Sequence, residues 1–359
     1  MSFVYKNIVR PGLFLMDPEN AHRAAAFLGK NAAACPLWSP VLRYLYSVPA
    51  SDRLKTEIAG ISFPNPVGMA AGFDKTGELY TFLSLLGFGF VESGTFTAHG
   101  QPGNPRPRIF RFPSHEALLN RMGFNNPGSQ KGHDNLSLQK RTIPLGVNIG
   151  KSKITPIEEA AKDYLQSLLL FSGMADYIAI NISSPNTPGL RTLHHRESLQ
   201  QLLKELKNAS TSQKNRPPLF LKIAPDLTDA ELDDVLDASI AADIGGIIIS
   251  NTTLSKSQIP RAAEMEGGLS GAPLRDKSTQ MIGRVFKLTG GKLAIIGVGG
   301  IFSGAHALEK IKAGASLIQI YTGLIYEGLS LPGEICRYLN DYCEKENLRI
   351  SEIVGAGHG

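Results

Sequence analysis

Cysteine and tryptophan are nearly absent, with three Cys and one Trp in 359 residues. Cys35, Cys336 and Cys343 form no Cys-x-x-Cys pair and no metal spacing. That excludes a disulfide scaffold and a zinc module, and points to a reducing compartment with buried or inert thiols. No run reaches the roughly 18 apolar residues of a membrane span. The N-terminus lacks the apolar core of a secretory signal and the Ser- and Arg-rich character of an organelle presequence. The chain is therefore expected in the cytosol or on the cytosolic side of a membrane. No Gly-x-Gly-x-x-Gly follows a strand-like run, which leaves a Rossmann dinucleotide site without support. His99, His115, His133, His194 and His195 are scattered without paired carboxylates and read as solvated loop residues, so no metal is expected.

What is present is the balance of a globular protein, 42% hydrophobic and 19% charged, with 37 Gly. The glycine content suits a fold with many tight strand-to-helix turns. The net charge of +5 is modest but uneven. Residues 1–50 carry Lys6, Arg10, Arg23, Lys30 and Arg43 against Asp17 and Glu19. Such a skew favours an anionic surface, membrane or nucleic acid, or is simply a solvated basic face. Asp17-Pro18 marks a helix start, the Asp capping free N–H groups and the Pro fitting the first turn. From Pro18 to Lys30, Ala21, Ala24, Ala25 and Leu28 share a face. From Pro36 to Ser47, Leu37, Val41 and Tyr44 form one stripe and Trp38, Leu42 and Leu45 the next. This helical pair either docks on the main domain, the commoner fate, or lies in a membrane interface. Residues 1–50 and 51–359 are thus expected to be separate units.

From residue 51 the pattern changes. Leu54–Ile58 and Ile61–Phe63, split by Ala59-Gly60, read as a β-hairpin. Apolar runs follow at Pro66–Ala70, Phe88–Ser93, Leu145–Ile149, Tyr177–Ile182, Leu219–Ile223, Gly246–Ile249, Ala294–Gly297 and Leu317–Ile320, with amphipathic stretches such as Pro156–Phe171 and Asp229–Ala241 between them. Eight buried strands alternating with helices predict an α/β fold, a (β/α)8 TIM barrel with a small N-terminal helical extension. A doubly wound open sheet is the alternative, less suited to eight strands in some 300 residues. Residues 96–143 form a long polar insertion, of the kind that is usually functional.

In such a barrel the site lies at the C-terminal strand ends. There the sequence places Ala71-Gly72-Phe73-Asp74-Lys75, Gly94-Thr95, Asn148, Asn181 with Ser183-Ser184-Pro185-Asn186, Lys222, Ser250-Asn251-Thr252, Gly297-Val298-Gly299-Gly300 and Tyr321-Thr322-Gly323. Any one Asn or Thr is a capped strand end, but so many amides, hydroxyls and lysines at one rim form a coherent set. Gly299-Gly300, with the helix near Ser303, suggests a phosphate site, although Gly-Val-Gly-Gly also serves as a tight turn. A phosphate-bearing cofactor and a substrate read by amides point to a flavin mononucleotide redox enzyme with a polar heterocyclic substrate.

The segment Asn181-Ile182-Ser183-Ser184-Pro185-Asn186-Thr187-Pro188-Gly189-Leu190-Arg191 closely resembles the catalytic loop of dihydroorotate dehydrogenases. Ala70–Lys75, Asn120–Asn126, Gly268–Gly271, Ile296–Ile301 and Tyr321-Thr322 match in order, as do Asp17-Pro18-Glu19 and His22. The resemblance covers nearly the whole chain. A serine at the base position, where the cytosolic class has cysteine, and the N-terminal extension place it with the quinone-dependent, membrane-associated class. The resemblance implies flavin mononucleotide bound by Ala71, Gly72, Phe73 (a leucine more usually), Asp74, Lys75, Thr95, Asn148, Asn181, Lys222, Ser250, Gly271, Gly300, Tyr321 and Thr322, the last three near its phosphate. It implies a substrate pocket of Lys75, Asn120, Arg121, Met122, Gly123, Phe124, Asn181, Asn186, Asn251 and Thr252. Ser184 is then the catalytic base, taking a proton from C5 of dihydroorotate while a hydride passes from C6 to the flavin. Thr187 and a water are candidates for its relay. On spacing alone Ser184 reads as a turn hydroxyl. Ubiquinone or menaquinone would accept the electrons, with His22, Arg111 and Tyr321 near its head at a tunnel formed by the N-terminal helices. The same resemblance implies pyrimidine biosynthesis and a monomer without nucleic acid, peripheral on the cytoplasmic face of the inner membrane; the missing presequence and membrane span favour a bacterial form. Another flavin barrel acting on a dihydropyrimidine or dihydrouridine, and a non-redox membrane-binding protein with a degenerate barrel, are the rival readings.

Overall fold

The computed structural model describes residues 2–48, 50–184, 186, 190, 193 and 196–358. Thr187, His194 and His195, together with Pro185, Pro188, Gly189 and Arg191 of the loop motif, lie outside the described residues.

In chain order the strands are β1 (Thr56–Ile58), β2 (Ile61–Phe63), β3 (Val67–Met69), β4 (Phe90–Phe96), β5 (Ile109–Phe112), β6 (Ala117–Asn120), β7 (Leu145–Ile149), β8 (Tyr177–Asn181), β9 (Leu219–Ile223), β10 (Gly246–Ile249), β11 (Gly268–Gly271), β12 (Ala294–Val298) and β13 (Leu317–Ile320). Eight of them close a parallel barrel in the order β10-β12-β13-β3-β4-β7-β8-β9. The apolar runs of the sequence are these eight strands, within a few residues at their ends. The open-sheet alternative falls because β3 and β13 pair, Ile318 with Val67 and Ile320 with Met69, which leaves no edge.

Each strand sends alternate side chains to opposite faces. On β4, Phe90 packs inside the barrel and Val91 outside against the helices. Tyr177 and Ala179 of β8, Phe220 of β9 and Leu317 of β13 join Phe90 inside. The antiparallel hairpin β1–β2 caps this end, with Phe63 meeting Phe90 edge-on at 5.2 Å. Its turn residues, Ala59 and Gly60, both have positive φ, as a two-residue hairpin turn of this hand requires. The base of the barrel is therefore a packed apolar plug, and polar residues appear only further along the same strands.

The helix beginning at Asp17 forms as expected and runs Pro18–Ala34, with the Asp17 side chain accepting from the N–H groups of Glu19 and Asn20. The second helix is Trp38–Tyr46. The N-terminal extension holds more than this pair, because residues 2–15 are helical too, including a π-turn at Tyr5–Val9. They dock on the helix Thr322–Glu327 that follows β13. The Tyr5 hydroxyl donates to Ile325 O at 2.7 Å, Arg10 to Tyr326 O at 2.9 Å, and Phe14 meets the Tyr326 ring at 5.4 Å. Residues 96–143 are not a structureless loop. They contain β5 and β6, which pair with β11 into a separate three-stranded antiparallel sheet over the rim, and the helix Ser129–Ser137. The polar residues of the segment surround two strands of only four residues each, Ile109–Phe112 and Ala117–Asn120, too short to stand out from it. Cys336 and Cys343 are buried, and burial pushes the Cys336 thiol up to about 12, so neither is reactive.

Candidate active site

The C-terminal strand ends and the small sheet enclose a cavity of about 1110 Å³, its open mouth included. Of the residues named from the sequence, Ala71, Gly72, Lys75, Thr95, Asn120, Met122, Gly123, Phe124, Asn181, Ser184, Asn186, Lys222, Ser250, Asn251, Thr252, Gly271, Gly300, Tyr321 and Thr322 all line it. Four do not. Asp74 is fully buried below its loop, accepting from the N–H groups of Gly77 and Glu78 and from the Ser93 hydroxyl, and so shapes the turn that presents Lys75. Phe73 packs between His22, at 4.9 Å, and Tyr321, at 5.9 Å. Asn148 lies one layer down. Arg121 points away, donating to Pro107 O.

The structure adds wall residues that sequence reasoning missed. Ile109 and Leu118 come from β5 and β6, and Leu274 follows β11. Gln319 of β13 is a floor residue whose signal was present, a lone amide in the apolar run Leu317–Ile320. The part of the rim expected to take a phosphate is lined by Gly299, Gly300, Ile301, Tyr321, Thr322 and Gly323. Ser303, expected to leave helix N–H groups free there, caps its own helix by accepting from His306 N, and it does not line the cavity.

The polar residues form one network. Thr95 donates to Asn148 Oδ1 at 2.5 Å, and Asn181 Nδ2 reaches Thr95 and Asn148 at 3.2 and 3.3 Å. Asn251 Nδ2 donates to Ser183 Oγ at 3.0 Å. Ser184 is 5% exposed, and its Oγ accepts from Asn186 N–H at 3.3 Å. Both readings of this serine are thus visible, the turn hydroxyl and the hydroxyl facing a cavity. Asn186 in turn donates to Asn120 O across the mouth at 3.4 Å.

Two cations face the cavity. Burial, with Arg108 and Lys222 adding repulsion, lowers Lys75 to about 8. Burial and then Lys75 lower His22 to about 4, so this imidazole is neutral at ordinary pH. His22, Phe73 and Tyr321 make a continuous aromatic contact from the helix Pro18–Ala34 to the cavity wall. Arg111 does not join it. It stacks over Phe14 at 4.6 Å and donates to Met16 O, tying down the residues before the first expected helix. Among the described residues no group of His, Cys, Asp and Glu is placed to hold a metal ion.

A closed parallel barrel whose C-terminal rim gathers amides, two lysines and a glycine-rich edge around one cavity belongs to the class of barrel enzymes whose active site lies at the strand ends. The dihydroorotate dehydrogenase family profile matches residues 53–342, and the chain belongs to that family. It is 49% identical over 322 residues to the dihydroorotate dehydrogenase (quinone) of Gloeobacter violaceus, covering 89% of this chain and 90% of the relative. It is 44% identical to the protein of that name from Deinococcus deserti, covering 98% and 99%. The ligand-free DHODH of Eimeria tenella superposes with a TM-score of 0.87 at 35% identity, over 95% of this chain and 99% of that one.

Proposed function

We propose that Ser184 is the base, and flavin mononucleotide the electron carrier, with which this quinone-linked dihydroorotate dehydrogenase oxidises (S)-dihydroorotate to orotate in pyrimidine biosynthesis. The observation that carries the proposal is convergence. Ser184 opens on the same cavity as Lys75, Lys222, Asn120, Asn186 and Asn251. The flavin fits the residues present. Gln319 Nε2 is fixed on Glu92, while its buried Oε1 has no donor among the described residues, and a ring N–H in the cavity would supply one. Gly300 lines the cavity with φ +67°, and a Cβ there would lie 2.5 Å from that of Arg275, so glycine lets this turn of the rim, the one proposed to take the phosphate, pack closely on Arg275. Bound flavin supplies the two-electron acceptor.

The side chains do the rest. Asn120, Asn181, Asn186 and Asn251 present amides to a ring whose edges alternate donor and acceptor, and Lys75 offers a cation to its carboxylate. Ser184 Oγ takes the C5 proton as the C5=C6 double bond forms and the C6 hydrogen departs with its electron pair. A hydroxyl needs a relay to act as a base, and Thr187 with a water is the proposed one. Lys222 stabilises the negative charge that collects on the ring system.

Quinone reduction would draw on the N-terminal side of the cavity wall, where His22 and Phe73 meet Tyr321. Residues 1–50 are proposed as the membrane-associating unit and residues 51–359 as the catalytic barrel, with His22 and Tyr321 nearest the quinone head. No helix among the described residues is long and apolar enough to cross a membrane. Thirteen of the twenty large apolar side chains exposed among the described residues fall within residues 3–45, including Phe27, Leu37, Trp38 and Tyr44. That surface supports peripheral adsorption.

The decisive test is steady-state oxidation of dihydroorotate with quinone, fumarate and nicotinamide acceptors in parallel. Turnover is expected with quinone, and turnover with fumarate or nicotinamide alone refutes the class. A second expectation concerns pH. An anion bound at Lys75 restores its proton, so binding above pH about 8 takes up a proton and weakens by about tenfold per pH unit. Below that pH it is flat. Titrating orotate into the oxidised enzyme from pH 6 to 10 measures this, and Lys75→Met should abolish the slope. A slope unchanged in that variant would assign the titration to another group.

A further inference from the structure

Beneath the cavity floor lies a carboxylate that the chemistry above does not use. Glu92 of β4 is fully buried inside the barrel, one alternation above the apolar plug. Its Oε1 accepts from Asn148 Nδ2 at 2.8 Å and lies 3.6 Å from Lys222 Nζ. Its Oε2 accepts from the Tyr177 hydroxyl at 2.9 Å and from Gln319 Nε2 at 2.7 Å. Five strands, β4, β7, β8, β9 and β13, thus meet at one side chain. Glu92 itself does not line the cavity, whereas Lys222 and Gln319 do.

We infer that Glu92 is a positioning residue that holds Lys222 and offsets its charge under the ring ligand, and so sets the redox potential of the bound flavin. The inference rests on the flavin reading above. A buried ion pair is a poor device for stability, since a well-packed apolar replacement is often as stable or more so. The neighbouring Phe90, Tyr177 and Phe220 show that this barrel can fill its interior with rings. Charge in this layer therefore points to the site it borders. Burial, and next the Glu92 carboxylate, hold the Tyr177 phenol well above its ordinary range, so it remains a donor to Glu92. Gln319 is oriented by the same carboxylate, and this turns its free oxygen away from Glu92. Lys222 favours electron arrival, because a cation stabilises the negative charge that comes with it. Glu92 opposes that effect at close range in a medium of low dielectric constant. The pair leaves electrons bound loosely enough to pass on to a quinone.

Glu92→Gln keeps the shape and removes the charge. In the full-length holoenzyme the midpoint potential, read from flavin absorbance against a reference dye without oxygen, is expected to rise. The reduced-to-oxidised ratio at fixed ambient potential should increase at least tenfold, which for a two-electron couple is about 30 mV. Flavin reduction by dihydroorotate should keep its rate while reoxidation by quinone slows. A lower melting temperature with loss of flavin and an unchanged potential is what a purely structural role gives, and it overturns the inference. If Glu92→Gln does not fold, Tyr177→Phe serves, because it keeps the ring packing and the charge but removes one neutral donor. The carboxylate's field is then less cancelled and the potential should fall. A rise, or no change, overturns the inference. The parent protein separates the two levels. If it takes up no flavin, or dihydroorotate does not bleach it, the flavin reading itself fails. If the parent behaves and only the variant's potential is unmoved, the role of Glu92 alone is lost.

Discussion

Ser184→Ala is expected to retain its flavin and to lose reduction of that flavin by dihydroorotate by a factor of about 10²–10⁴, the usual contribution of a positioned base. The fold should survive. Among the described residues Ser184 makes one long hydrogen bond, from Asn186 N–H at 3.3 Å, and losing such a bond costs on the order of 1 kcal/mol. Asn181 and Ser183, which carry the network between β8 and the loop, are untouched by the change. Stopped-flow bleaching of the flavin by dihydroorotate, in the absence of quinone, isolates the step. Binding of orotate should be nearly unchanged, because the amides and Lys75 remain. A variant that bleaches within tenfold of the parent would remove Ser184 from the chemistry and leave it as a turn residue. Ser184→Cys gives a finer test. A thiol ionises near 8.5 when unperturbed, so partial activity with a profile displaced to lower pH is expected if the group acts as a base. A flat loss equal to that of Ala would mean that shape, not basicity, is what the site requires.

The barrel was legible because a fully buried parallel strand must be apolar on both faces, and eight such runs stand clear of their amphipathic neighbours. The rim was legible for the same reason, since the residue that ends an apolar run is the residue at the strand's C-terminal end. What could not be read was anything set by two distant segments. Asp74 and Phe73 sit in the matching motif beside Lys75, yet only the folded loop shows that Asp74 turns inward to hold Gly77 and that Phe73 bridges His22 and Tyr321. The sheet of β5, β6 and β11 joins residues about 150 apart in sequence, Leu118 with Ser270, and no local pattern encodes that pairing. Charge was the least specific signal. The basic residues of 1–50 read either as a site for an anionic surface or as a solvated basic face, and several of them have partners within the protein: Lys6 pairs with Glu327, Lys30 with Glu78, and Arg10 donates to Tyr326 O, which fastens the extension to the barrel, while Arg23 pairs with Glu19 within its own helix. The apolar face of the extension stays exposed.

That face carries the second large expectation. Phe27, Leu37 and Tyr44 are 68%, 80% and 84% exposed, so changing all three to Glu removes almost no internal packing, and exposed substitutions of this kind typically alter stability by about 0.5 kcal/mol or less each. Full burial of such side chains is worth about 1.5–3 kcal/mol apiece. Even about 1 kcal/mol lost from each amounts to roughly two decades in an equilibrium constant. The triple variant should therefore partition onto lipid vesicles about a hundredfold less than the parent. Turnover with a long-tailed quinone held in those vesicles should fall by about tenfold or more, in proportion to the enzyme left on the surface. Turnover with a short-chain soluble quinone should stay at the parent's level, because His22, Phe73 and Tyr321 are untouched. Added salt should weaken parental binding little, since most of the basic residues already have partners within the protein. Deleting residues 1–50 outright is the poorer experiment. It removes Glu19, whose carboxylate accepts from Arg108 Nε at 3.0 Å and Nη2 at 2.8 Å. Removing that ion pair and the helix that carries it disturbs the segment leading to β5, so lost quinone activity would not separate lost docking from lost fold. The triple variant does separate them. If it keeps full turnover with the long-tailed quinone in vesicles, the N-terminal face is not the route by which quinone arrives.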